Sequence, residues 1–172
     1  MSDDPERDTL CIEADGLALE IDVAAGAAAL DATLSTIIAS AVGAANEVAG
    51  PAEGAVAVIV DDDQRIRRLN RLWRGLDKPT NVLSFPSPDT QPGPASHVGD
   101  IAISYETAAR EAAAEGKSLG DHVAHLSVHG FLHLLGYDHE SDDDAEEMEG
   151  LERVILARIG VSDPYVAHDA EG

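Results

Sequence analysis

His129, His133 and His139 stand at offsets 0, 4 and 10 in the run His129-Gly130-Phe131-Leu132-His133-Leu134-Leu135-Gly136-Tyr137-Asp138-His139, which holds three of the chain's seven histidines. On a helix turning about 100° per residue, the first two project from one face and can share an ion. A continued helix would carry His139 roughly 240° away from His133. Gly136 offers the escape, because glycine commonly ends a helix in a left-handed conformation. A chain turning there can bring His139 back to the same point. Three neutral imidazoles with a fourth position open are a ligand set of catalytic zinc sites. His125 extends the stripe one turn earlier, but residues eight apart stand about 12 Å apart along a helix axis, against zinc–nitrogen bonds of about 2.1 Å. One ion therefore cannot join His125 to His133. The expected metal ligands are His129, His133 and His139, with His125 behind them or in the core.

Two plainer readings compete. The histidines could be ordinary residues of an apolar helix, or the zinc could be purely structural, with a fourth ligand from His97, His122, His125 or Asp138. A structural site normally wants four protein ligands and often cysteine, and Cys11, the single cysteine, is far away in sequence. The motif also departs from His-Glu-x-x-His, in which the glutamate is the general base of a zinc protease. That position is Gly130, so ordinary zinc-protease chemistry is not expected. Asp138 is a candidate to accept a proton or to orient a ligand histidine, or else simply a turn residue before His139.

The second chemical feature is a basic segment. Arg65, Arg67, Arg68, Arg71, Arg74 and Lys78 are six of the eleven Lys and Arg residues, with Asp77 the lone acid among them. The segment carries +5 on a chain of net charge −22, leaving −27 for the remainder. Arg67, Arg71 and Arg74 share one side of a short helix, where a solvated, ion-paired face is the plain reading. Arg74 differs, because it stands directly before Gly75 and a strand leading inward. A guanidinium fixed there can grip a phosphate through two N–H donors. Arg67, Arg71 and Lys78 are the further candidates for binding an anionic substrate. Asp142-Asp143-Asp144 and Glu146-Glu147 fit the first turn of a helix, where acids complement the positive end of the dipole.

The elements that must position these groups are readable from patterning. Cys11 to Val23 reads as a first strand, and Val23 to Ala45 as a long, largely buried Ala-rich helix rather than a membrane span. Ala55 to Val60 reads as a buried strand. A short helix follows, with Ile66, Leu69 and Trp73 on its inner face. Asn81 to Phe85 and Gly99 to Ile103 read as core strands, separated by an exposed loop from Pro86 to Val98 that holds four of the eight prolines. Tyr105 to Glu115 has helix composition, and the histidine helix runs from near Ser118 to Gly136. Ser141 with Asp144 resembles a capping box opening a last helix that ends near Ile159. One α+β domain is expected over residues 1–172, with a small mixed sheet of about four strands packed with helices and acidic tails at both ends. Met1-Ser2-Asp3-Asp4-Pro5 lacks the features of a signal peptide, and a single cysteine suits a reducing cytoplasm.

The segment His129–His139 closely resembles the His-Gly-x-Leu-His-Leu-x-Gly-Tyr-Asp-His motif of the YbeY endoribonucleases. Arg74-Gly75-x-Asp77-Lys78-Pro79-Thr80-Asn81-Val82-Leu83-Ser84-Phe85-Pro86, Gly99-Asp100-Ile101, Asp142 to Glu149 and Asp163-Pro164-Tyr165 are similar too, so the resemblance covers about residues 55–165. It implies one Zn2+ on His129, His133 and His139, an important arginine at Arg74, and hydrolysis of single-stranded RNA. It also implies action near the 3′ end of the small-subunit rRNA and in ribosome quality control, with rRNA, the ribosome and ribosomal or ribosome-associated proteins as partners. The alternatives are a metal-dependent hydrolase of another substrate, and a ribosome-assembly factor whose zinc mainly organises a surface.

Overall fold

The computed structural model describes residues 7–88 and 96–165. Its chain begins with a hairpin. β1 (Asp8–Ala14) and β2 (Leu17–Val23) pair antiparallel around Asp15 and Gly16, whose φ angles of 53° and 82° are both positive. Two positive φ values define the type I′ turn that Asp-Gly favours. Cys11 to Val23, expected as one strand, therefore belongs to two. The sheet has five strands where about four were expected.

The expected Ala-rich helix is divided as well. α1 (Ala25–Leu30) stops at Asp31, which is extended, and whose carboxylate accepts the Thr33 N–H at 2.8 Å and the Thr33 hydroxyl at 2.6 Å. A short acidic side chain that captures local donors in this way competes with helix continuation. α2 (Leu34–Ala49) then buries Leu34, Ile38, Ala41, Val42 and Ala45 at helical spacing.

β3 (Gly54–Asp61) is parallel to β2 and to β5 (His97–Ser104), while β4 (Val82–Pro86) runs antiparallel along β5, giving the order β1-β2-β3-β5-β4. β4 is thus an edge strand. The helices are α3 (Asp63–Arg74), α4 (Tyr105–Glu115), α5 (Leu119–Leu134) and α6 (Asp142–Arg158). These helices and the mixed sheet make the α+β domain expected from the sequence. Ser104, Ser118 and Ser141 each cap their helix through a side chain that accepts a backbone N–H three residues on.

α5 is the central helix, buried on nearly every side and packed against α2, α4, α6, β4 and β5. Its fit to the sheet depends on Gly130. A Cβ there would come within 3.0 Å of Ile101, 3.2 Å of the Ser84 hydroxyl and 3.3 Å of Val82, and that hydroxyl donates to the Gly130 carbonyl at 3.0 Å. Successive residues of β4 face opposite ways. Val82 and Ser84 meet α5, while Leu83 and Phe85 join Ile66, Leu69 and Ala102 in a small cluster under α3.

One residue of that inner face departs from expectation. Ile66 is fully buried, but Trp73 is 66% exposed and leans on the Phe85 ring, at 6.3 Å between centroids. Helical spacing correctly gives the direction of Trp73, but the sheet ends at β4 before it can cover the ring. Pro86 closes β4, and His97 and Val98 already belong to β5, so both ends of the expected Pro86 to Val98 loop are strand. Residues 89–95 of that loop, like the ends of both acidic tails, lie outside the described residues. No described helix is long and apolar enough to cross a membrane.

Candidate metal centre

α5 ends in a hydrogen-bonded reversal that delivers the third histidine. Gly136 N–H donates to the His133 carbonyl at 3.0 Å and Tyr137 N–H to the Leu132 carbonyl at 3.1 Å, with Gly136 at φ 104°. This pair of bonds is the Schellman motif. Tyr137 packs on the core beyond it, and His139 returns over the helix end. The His129 and His133 ring centroids lie 4.6 Å apart, those of His133 and His139 5.3 Å, and those of His129 and His139 5.7 Å.

One ring nitrogen from each of His129, His133 and His139 falls within 4.8 Å of the others, and the Nε2 atoms of His129 and His133 are 3.1 Å apart. Tetrahedral ligands with bonds of about 2.1 Å stand about 3.4 Å apart. The helical pair already has nearly this spacing, and His139 is the exposed member, carried by the turn. The donor set therefore fits a transition-metal ion. No other His, Cys, Asp or Glu among the described residues joins the cluster, which leaves a coordination position open.

The protonation states suit the same purpose. His133 is held below the usual histidine range by burial, then by the nearness of His129 and His139, beside which a protonated ring is disfavoured. It is therefore neutral at physiological pH, the form that binds metal. His129 Nδ1 lies 2.7 Å from a carboxylate oxygen of Glu152, a fully buried residue of α6. The same carboxylate meets His125 Nε2 at 3.2 Å and accepts the Tyr165 hydroxyl. Burial alone would raise Glu152, but hydrogen bonds from His125, His129 and Tyr165 outweigh it and bring the group down to about 2. A charged acceptor at Nδ1 keeps the proton on that nitrogen and leaves Nε2 free as a ligand.

Glu152 was not singled out from sequence, although a signal was present. It falls on the buried stripe of Met148, Ile155 and Leu156, where a carboxylate needs a partner. His125 lies behind the cluster, against Glu152 and the Tyr165 ring, and so does not compete for the ion. The other candidates for a fourth ligand do not join the cluster, although Asp138 lies on the wall of the same cleft. His122 meets Glu111 at 2.8 Å, His97 meets Asp100 at 3.1 Å, and Asp138 accepts the Glu140 N–H at 3.1 Å.

The histidines open onto a cleft of about 430 Å³ whose walls include Arg74, Asn81, Ser84 and Asp138. Arg74 ends α3 at Gly75, which is left-handed at φ 73°. Its Nη2 donates to the Ser84 carbonyl at 3.1 Å, so the guanidinium reaches across β4 from the α3 side. Arg67 instead forms a two-bond pair with Asp77, at 2.8 and 3.2 Å. Arg67, Arg71 and Lys78 are exposed and lie outside the cleft wall. Asp142, Asp143 and Asp144 fill the first turn of α6, as expected for dipole-complementing acids.

A family model described as Endoribonuclease YbeY matches residues 20–160. A Rhodopseudomonas palustris protein named Endoribonuclease YbeY is 51% identical over 154 residues, covering 88% of this chain and 80% of the relative. A Nitrobacter winogradskyi protein of the same name is 53% identical over 143 residues, covering 80% and 74%. The solution structure of TM1509 from Thermotoga maritima shares the fold, with a TM-score of 0.54 at 23% identity over 87% of this chain and 99% of that one. The family model spans α5, its glycine turn and all three histidines, and with these relatives it shows that the chain belongs to the YbeY endoribonuclease family.

Proposed function

We propose that the protein is a zinc-dependent endoribonuclease of single-stranded RNA, working in the cytoplasm on the 3′ end of the small-subunit rRNA and in ribosome quality control. Its partners on this reading are rRNA, the ribosome, and ribosomal or ribosome-associated proteins. The observation that carries the reading is the convergence of one arginine and three imidazoles on a single cleft. The names of the relatives supply the substrate class.

His129, His133 and His139 would hold the ion through neutral nitrogens. When bound, zinc supplies a Lewis acid towards a phosphoryl oxygen and lowers the pKa of water to about 7. Arg74, anchored by one N–H on the Ser84 carbonyl, keeps its remaining donors for a phosphate oxygen and offsets the charge growing there. Asp138 is the one carboxylate on the described wall of the cleft, so this part of an acidic protein is lightly charged. With one oxygen on the Glu140 N–H, Asp138 keeps the other to take a proton.

Metal content and cleavage of defined rRNA precursors test the reading together. The wild type should carry one zinc per chain and cut. His133→Ala should lose both zinc and cleavage, and Arg74→Ala should keep zinc and lose cleavage. Cleavage that persists in metal-free His133→Ala overturns the mechanism, and hydrolysis of peptides but not RNA overturns the substrate.

A further inference from the structure

We propose that Trp73, backed by Phe85, is a stacking site for a nucleobase of the RNA strand whose phosphate occupies the Arg74–histidine cleft. The proposal rests on the nuclease reading for the identity of the strand, and on the following geometry for the site.

Trp73 is the chain's only tryptophan, and 66% of it is exposed. Leu72 and Leu76 beside it are 73% and 48% exposed, so the end of α3 presents an apolar patch to solvent. Patches of this kind mark binding surfaces more often than accident. Position along the chain ties it to the cleft. Arg74, the next residue, lines the cleft and holds the Ser84 carbonyl, while Phe85, the residue after Ser84, is the ring against which Trp73 leans. The cleft and the Trp73–Phe85 pair thus lie on the two sides of edge strand β4, one residue apart. A strand crossing that edge meets both.

Charge selects the occupant. Seven of the eleven Lys and Arg residues form salt bridges: Arg7 and Arg65 with Asp61, Arg67 with Asp77, Arg110 with Asp63, Lys117 with Glu115, Arg153 with Asp163, and Arg158 with Glu47. The other four, Arg68, Arg71, Arg74 and Lys78, make none among the described residues, on a chain carrying 33 acids. All four flank Trp73 in sequence. Cations with no salt bridge among the described residues, close in sequence to an exposed indole, suit a ligand with phosphates and flat rings. Single-stranded RNA supplies both, since its bases stack on aromatic side chains while its phosphates meet arginine and lysine.

The test uses the metal-loaded protein and a 2′-O-methyl oligonucleotide, whose bases stack while its modified sugars disfavour cleavage. Binding should quench the fluorescence of Trp73 in step with saturation, whereas inorganic polyphosphate should bind without quenching. Trp73→Leu should weaken oligonucleotide binding about ten- to a hundredfold, the usual loss for one stacked base. Trp73→Phe should recover much of that loss, and polyphosphate affinity should be unchanged in both variants. Unchanged oligonucleotide affinity in Trp73→Leu overturns the proposal and leaves the patch to a protein partner. Equal quenching by polyphosphate overturns it too, by showing a charge effect without stacking. If RNA quenches Trp73 but is never cut, the nuclease reading fails and the stacking site stands. If RNA is cut with the same KM by wild type and Trp73→Leu, the reverse holds.

Discussion

Glu152 receives the Nδ1 edge of His129 at 2.7 Å while lying fully buried in a different helix. The contact ties α6 to the end of α5 that carries His129 and His133. It fixes both the tautomer and the ring plane of His129. Glu152→Gln keeps the shape but removes the charge, so the proton on Nδ1 is no longer demanded. The metal should bind about 10–100-fold more weakly, as read by competition against a chelator of known affinity. Unchanged metal affinity would show that the contact serves only packing. Tyr165→Phe removes another of the donors to the same carboxylate and should act in the same direction with a smaller effect.

Arg74→Lys separates charge from shape. Lysine retains the positive charge but cannot hold the Ser84 carbonyl and a phosphate oxygen with one planar fork. Catalytic efficiency should fall about a hundredfold, the scale for losing one oriented donor at a charge-developing oxygen. Zinc content should remain that of the wild type. Steady-state cleavage alongside metal analysis checks both points, and full activity in Arg74→Lys would reduce the role of Arg74 to simple attraction.

How much was legible in advance depended on how local each feature is. The histidine cluster rests on an i,i+4 pair and a helix-ending glycine, all within eleven residues, so spacing alone was enough. The Asp15-Gly16 hairpin and the break at Asp31 are equally local, but each pattern around them is also compatible with one longer element. Glu152 becomes a partner of His129 only once α6 packs on α5, and no spacing rule encodes that contact. Trp73 shows a different limit, because periodicity gives a side chain's direction and not where the neighbouring sheet stops.

Asp63 gives the fold a predictable acid sensitivity where α3 meets α4. Burial pushes its carboxyl upward, but hydrogen bonds from Ser104, Thr107 and Arg110 outweigh this and hold it below its ordinary 3.8. A depressed carboxylate contributes stability that is complete above the unfolded value and is lost as pH falls through the folded value. Asp63→Asn should therefore be less stable than wild type at neutral pH, with the gap constant down to about pH 4 and closing below it. Denaturant unfolding at several pH values measures this. A gap independent of pH down to complete protonation would sink the assignment.

Gly130 invites a test of why the motif has glycine beside its first histidine. From spacing alone, its significance was the absence of a protease glutamate. The structure adds a packing reason, since a Cβ at this position would be crowded by Ile101, Ser84 and Val82, all at 3.0–3.3 Å. Gly130→Val adds a branched side chain to a filled interface. It should destabilise the protein by about 1–3 kcal/mol through overpacking, despite valine's better helix propensity. It should also displace β4, which carries the Ser84 carbonyl that anchors Arg74. Cleavage should therefore fall further than zinc affinity, because the proposed ligands His129, His133 and His139 lie on α5 and the segment that follows its turn. Thermal unfolding, zinc competition and cleavage assays on the same preparation separate these effects. Equal losses in zinc binding and cleavage would show that the substitution disturbs α5 itself rather than its contact with β4.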